Sequence, residues 1–183
     1  MKIIALSGSL RAESYTTKLV KAFQRYAPND VDIEIVDISK LPFINQDLEA
    51  ELPQSVIDLH TTINKADAVI FATPEYNRSY SPVLKNAIDW GSRPAGKNAW
   101  NGLPAGVIGS TLYSLGTFGA QQHLRQVLMY LNMPTLQQPE FYLQNAEEKF
   151  DSNGTLTDEY TKQKINEFWT AFLVWIQRNK RDK

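Results

Sequence analysis

A chain of 183 residues, 43% hydrophobic and 21% charged, is long enough to bury one well-packed core and short for two. Its formal net charge of −1 excludes the broad basic surface of a general nucleic-acid binder. The absence of cysteine excludes disulfides, thiolate metal sites, catalytic thiols and CxxC pairs, so any redox chemistry needs a bound cofactor.

Lys2–Leu6 is a nearly continuous apolar run, suited to a strand covered on both faces and too short for a signal peptide. The loop Ser7–Thr16 leads directly into a helix over Ser14–Ala27, with Leu19, Val20, Phe23 and Ala27 on one apolar face. Val31–Val36 alternates polar and apolar residues, as in an edge or half-covered strand. Leu41–Leu52 reads as a surface excursion, and Pro53–Ala66 as a helix opened by proline. Ala68–Thr73 and Pro104–Ser110 are interior strands, each followed by a loop and then a helix, over Pro82–Trp90 and Phe118–Leu131. Phe141–Leu143 is a short strand, Asn145–Thr157 a second excursion with a turn at Asn153-Gly154, and Asp158–Gln177 a closing helix. The basic tail Arg178–Lys183 reads as a solvated helix end, favoured by the helix dipole. No apolar stretch approaches the roughly 20 residues of a membrane helix, so a soluble, cytoplasmic protein is expected.

This alternation of strands and helices implies α/β architecture: one domain over residues 1–183, with a doubly wound parallel sheet in the order 2-1-3-4-5. Ligands of such sheets bind at the carboxyl ends of the strands, near the point where strand order reverses. The loops after the first, third and fourth strands are therefore the candidates.

In the first, a helix start, the hydroxyls of Ser9, Ser14 and Thr16 and the guanidinium of Arg11 coincide, a donor set for an anion. The alternative is that Ser14 is only an N-cap and Arg11 only a surface charge. Neither GxxxxGK[ST] nor a GxGxxG with its acidic partner is present. The second loop, Thr73–Pro82, is stiffened by proline at both ends and offers Tyr76 and Asn77 to the edge of a flat heteroaromatic ring, or is simply a rigid turn. The third, Ser110–Gly119, combines glycines and hydroxyls that allow close backbone approach. Lys85 reads as solvent-facing or paired. His60 and His123 have neither metal-ligand spacing nor a neighbouring nucleophile, so no metal site and no catalytic residue is assigned.

Three motifs, LSGSLRAESYTT, TPEYNRS with LKNAIDW, and HLRQVL, resemble the NADPH-dependent FMN reductase family, in the family's order and from Lys2 to the final helix. That group includes quinone reductases, azoreductases and chromate reductases. The resemblance implies a flavodoxin-like three-layer sandwich and FMN as cofactor. Its phosphate falls to Ser9, Leu10, Arg11, Ser14, Tyr15 and Thr16, and its ring to Pro74, Glu75, Tyr76 and Asn77, with Ser110 as a further contact. It also implies a ping-pong reaction in which NADPH or NADH is the donor and a quinone, azo compound or other small molecule the acceptor. A homodimer or homotetramer is implied as well, with neither nucleic acid nor membrane as partner. Two departures stand out. Many relatives read S-x-P-G-x-LKN after PEYN, where this chain has Ser79-Tyr80-Ser81-Pro82-Val83-Leu84. The third loop lacks the family's usual double glycine and has Gly116-Thr117-Phe118-Gly119 in its place. The alternatives are a flavodoxin-type electron carrier and a redox sensor that buries a partner against Trp90, Trp169, Phe172 and Trp175.

Overall fold

Successive strand residues point to opposite faces, so an all-apolar strand needs cover on both. The computed structural model describes residues 1–181. It places β1 (Lys2–Ser7) between β2 (Asp32–Val36) and β3 (Ala68–Thr73), with β4 (Ala105–Ser110) and β5 (Phe141–Leu143) beyond. All four pairings are parallel and the order is 2-1-3-4-5, as expected. Ile3, Ala5 and Ile70 join the core beneath α1 (Tyr15–Arg25) and α5 (Glu159–Arg178). Ile4, Leu6, Val69 and Phe71 join the one beneath α2 (Gln54–Lys65), α3 (Pro82–Gly91) and α4 (Phe118–Tyr130). Helices on both faces of one sheet make the expected flavodoxin-like three-layer sandwich.

Glycines set how closely the layers approach. A Cβ on Gly106 of β4 would lie 2.9 Å from Phe168 Cζ, so the bare backbone lets α5 seat its aromatic ring on the sheet. Gly91, at the end of α3, leaves room for the indole of Trp100, which is fully buried and donates to Ile88 O at 2.9 Å.

The other indoles are also committed inward. Trp90 donates to Pro42 O at 2.7 Å, Trp169 to Phe23 O at 3.2 Å and Trp175 to Pro134 O at 2.9 Å. Trp90, Trp169 and Phe172 are buried in this chain's own core. The aromatic surface considered for a partner is therefore not available. Burying these rings beneath the sheet removes more apolar area from water than leaving them for an encounter.

The excursions are tied down as well. Asn86 of α3 donates to Pro42 O and accepts from Ile44 N–H, and Arg93 pairs with Glu49 at 2.7 Å. At the carboxyl terminus, α5 ends at Arg178, but Arg181 is not simply solvated. It turns back to donate to Ala99 O at 2.9 Å and to Ile63 O at 2.7 Å. The Ile63 carbonyl, near the end of α2, already accepts from the cap residue Ala66 N–H at 3.2 Å, and the guanidinium adds a second donor to it. Asp182 and Lys183, the rest of the tail, lie outside the described residues. No helix among the described residues is long and apolar enough to cross a membrane.

Asp158 caps α5, accepting from Thr161 N–H at 2.9 Å and Thr161 Oγ1 at 2.6 Å. Asp158→Ala is expected to lower stability by about 1 kcal/mol in urea unfolding. The Thr161 hydroxyl holds this carboxylate below its usual range. A lowered folded-state value means that the contribution is complete above the unfolded value of about 4 and fades as acid protonates the folded state. The difference between the proteins should therefore shrink at pH 3.

Candidate functional site at the carboxyl ends of the strands

The chain order reverses between β1 and β3, and there the first loop meets the second. Gly8 N–H donates to Ala72 O at 2.8 Å, and a Cβ on Gly8 would lie 2.6 Å from Ser81 Oγ and 3.1 Å from Pro74 Cδ. Glycine at this position is what allows the contact. Ser110, buried at the end of β4, donates to Thr16 Oγ1 at 3.3 Å, and Ser7 Oγ lies 2.9 Å from Thr17 Oγ1. A hydroxyl chain thus binds the ends of β1 and β4 to the first turn of α1.

Ser14 does serve as the N-cap of α1, its Oγ accepting from Thr17 N–H at 3.2 Å. This leaves the N–H groups of Tyr15 and Thr16, at the first two helical positions, without an intrahelical acceptor. No acidic residue stands in that first turn. Ser9 is buried, whereas Leu10 and Arg11 are exposed on the loop. Arg11 forms no ion pair among the described residues; its neighbour Glu13 is held by Lys18 at 2.8 Å. Free amides at a positive helix end, a hydroxyl and a guanidinium without an ion pair form a donor set that suits a phosphate monoester, so the residues present fit FMN.

The second loop is a preformed hairpin. Tyr76 and Ser79 exchange both backbone hydrogen bonds at 2.9 Å, and Asn77 and Arg78 turn the corner at φ 51° and 67°. Positive φ at both central residues is the type I′ pattern, which asparagine tolerates well. Pro74 and Glu75 lead into it, and the Tyr76 ring is exposed. The Glu75 side chain is turned away to α4: Oε2 accepts from Ala120 N–H at 3.1 Å and Oε1 from Arg78 Nη1 at 3.3 Å. The N-cap position of α4, Thr117, has no side-chain cap bond, so the carboxylate from the neighbouring loop supplies one. Its contact therefore clamps the hairpin, while Tyr76 and Asn77 remain exposed on the loop. His123 adds a second contact, its Nδ1 lying 3.2 Å from Ser79 Oγ. Lys85 pairs with Asp89 at 2.6 Å.

The two departures from the family pattern have local explanations. Ser81 is the N-cap of α3, accepting from Leu84 N–H at 3.2 Å, and Pro82 occupies the first helical position, where its missing N–H costs nothing. Burial pushes the Tyr80 hydroxyl up to about 12, so it is neutral near pH 7. Thr117, standing in the double glycine, takes φ 72° immediately after Gly116 at φ 59°. A β-branched residue in this region is strained by about 1 kcal/mol or more. It is held there by complete burial and by Gln121 Nε2, which donates to Thr117 Oγ1 at 3.0 Å and to Phe141 O at 2.8 Å.

The hairpin and the third loop enclose a cavity of about 420 Å³, lined by Asn77, Arg78, Thr111, Tyr113, Leu115 and Thr117, among others. A larger hollow of about 770 Å³ lies elsewhere, between Arg125, Met133, Trp175 and Arg181. Each of its guanidinium groups donates to carbonyls, Arg125 Nη1 to Leu136 O at 2.7 Å and Arg181 as described, while the buried Arg125 Nε has no partner among the described residues. The hollow also contains none of the carboxyl-end loops, and the smaller cavity is the better candidate.

Sequence reasoning marked Thr117 only as part of a departure from the family pattern and did not single out Gln121 or Gly109. The bare Gly109 of β4 is what admits Thr117 against the sheet. The signal available was the replacement of one glycine of the pair, which required some neighbour to yield space.

The family model for NADPH-dependent FMN reductase matches residues 1–148. The chain is 38% identical over 177 residues to the 2-hydroxy-1,4-benzoquinone reductase of a Burkholderia species, covering 97% of each chain. It is 42% identical over 179 residues to a quinone reductase of Pseudomonas putida, covering 97% of this chain and 96% of that one. Among solved structures it resembles FerB, a flavoenzyme NAD(P)H:acceptor oxidoreductase from Paracoccus denitrificans. That match has 39% identity and a TM-score of 0.93, and covers 98% of this chain and 99% of FerB.

Proposed function

The chain belongs to the NADPH-dependent FMN reductase family, and from that premise we propose that it reduces quinones and similar flat acceptors with NAD(P)H, using FMN held across the loops after β1, β3 and β4. The observation that supports the placement is the start of α1, where two amides without an intrahelical acceptor follow a loop carrying Ser9 and an Arg11 with no ion pair among the described residues, at the switch in strand order. When bound there, FMN supplies the two-electron chemistry that links a nicotinamide donor to an acceptor.

The protein's part is to bind and to orient. The amides of Tyr15 and Thr16, with Ser9 and Arg11, hold the phosphate; Leu10 and Ser14 shape the loop, the latter through its cap bond. Pro74, Glu75, Tyr76 and Asn77 form the ring-side wall, kept in place by the Glu75 carboxylate on α4. Ser110 ties β4 to the phosphate loop through Thr16. Glu75, the carboxylate in the cavity wall, is committed to Ala120 N–H and to Arg78, which suits a reaction whose difficult chemistry belongs to the cofactor. The exposed apolar rim of Leu112, Tyr113, Leu115 and Phe118 supports a homodimer or homotetramer, to be measured by sedimentation.

Arg11→Ala is the direct test. FMN affinity is expected to fall about tenfold, from the loss of a charge-assisted hydrogen bond, with an unchanged far-UV spectrum. Unchanged affinity would move the phosphate elsewhere. Steady-state oxidation of NAD(P)H with a quinone separates the enzyme from a flavodoxin-type carrier, which would show no turnover without a protein partner.

A further inference from the structure

We infer that Arg78 makes this site selective for substrates bearing an oxyanion beside their flat ring. The inference rests on the reading of the site just given. Arg78 stands at the tip of the type I′ hairpin, on the wall of the cavity of about 420 Å³. Across from it, the exposed Tyr113 and Leu115 offer an apolar surface for a planar molecule.

The guanidinium is poorly compensated where it stands. Among the described residues its one ion-pair partner is Glu75 Oε1, at a long 3.3 Å. That carboxylate is only 10% exposed, and its second oxygen is committed to Ala120 N–H, whereas the Arg78 side chain is 72% exposed. A guanidinium carries five N–H donors, and Glu75 engages one of them. The remaining donors belong to a side chain that lines the cavity and is largely exposed. Among the described residues no other cation lines this cavity.

An apolar wall with a cation at its edge recognises a planar anion: the apolar body is desolvated while the charge keeps a bidentate partner. Two sources carry this chemistry, an acidic quinone as acceptor and the additional phosphate of NADPH as donor. The backbone strain of a non-glycine residue at φ 67° is tolerated because hairpin, clamp and cavity are one structure.

The test uses the FMN-loaded enzyme and two ratios of kcat/KM. One compares a 2-hydroxybenzoquinone, ionised at pH 7, with neutral benzoquinone, NADH being the donor in both. The other compares NADPH with NADH, benzoquinone being the acceptor. Arg78→Asn removes the charge and suits the left-handed backbone, and Arg78→Lys keeps the charge.

With Arg78→Asn, at least one ratio is expected to fall about tenfold, and the one that falls identifies whether the anion belongs to acceptor or donor. Arg78→Lys should retain most of it, and 0.5 M salt should weaken it in the wild type. If Arg78→Asn leaves both ratios within twofold, the inference is overturned. That includes the case in which all four values fall together, the mark of a residue that merely holds the hairpin. A wild type inactive with benzoquinone and NADH or NADPH would instead overturn the quinone-reductase reading, and this inference with it.

Discussion

Gly109→Ala is expected to lower the stability of the protein by about 3 kcal/mol and to abolish tight FMN binding. Gly109 lies in β4 opposite Thr73 of β3, and its added Cβ would fall directly on Thr117 Oγ1 and 2.7 Å from Thr73 O. The first neighbour is a fully buried side chain already strained at φ 72°, and the second is sheet backbone. Neither yields without moving a strand or the start of α4. Urea unfolding should show a lower midpoint with an unchanged slope, and FMN titration a loss of affinity. The double variant Gly109→Ala/Thr117→Gly should recover part of the stability, because glycine removes one clash and relieves the left-handed strain. The contact with Thr73 O would remain. Wild-type stability for Gly109→Ala would show that the third loop does not depend on this packing.

Glu75→Ala should act on the same region through charge and cap. It removes the acceptor of Ala120 N–H at the start of α4 and the partner of Arg78, separating the hairpin from the helix. A loss of about 1–2 kcal/mol is expected, the value of a helix cap with a favourable charge at the positive helix end. FMN affinity should also fall about tenfold, because Tyr76 and Asn77 lose the clamp that places them. Glu75→Gln keeps an oxygen acceptor and should lie between alanine and wild type. Hydrogen exchange gives an independent check: amides in the first turn of α4 should lose protection in Glu75→Ala, while those of β1 should not. Equal loss throughout would mean general destabilisation instead of a local clamp.

Much of the fold was legible in local pattern. The unbroken apolar run Ala68–Thr73 could only be a strand covered on both faces, and every residue in it is buried. A helix opening at Pro82 was expected, and α3 starts there, capped by Ser81. The first loop was legible for the same reason, because an N-cap serine, hydroxyls and an arginine between strand and helix are neighbours in the chain. What could not be read were contacts between distant segments. Glu75 looked like a ligand-side residue within PEYN, yet its carboxylate serves an amide 45 residues later. Arg181 looked like one charge of a solvated tail, yet it closes the end of α2.

The sequence by itself determined the strands, the helices and their order, the motifs of the family and a loop whose donors suit a phosphate. Each depends on periodicity, capping or side-chain chemistry within a few residues. The tertiary structure alone decided which side chains of the site remain free. Ser14 and Glu75 were given to helix starts, Trp90 and Trp169 to the core, and Thr117 to a left-handed position made possible by the bare Gly109. Arg11 and Arg78 remained free at the carboxyl end of the sheet: Arg11 has no ion-pair partner among the described residues, and Arg78 has only a long contact to Glu75. The reason is that hydrogen-bond satisfaction and packing are settled among elements brought together in space, and a polar group has a function to offer only after those requirements are met.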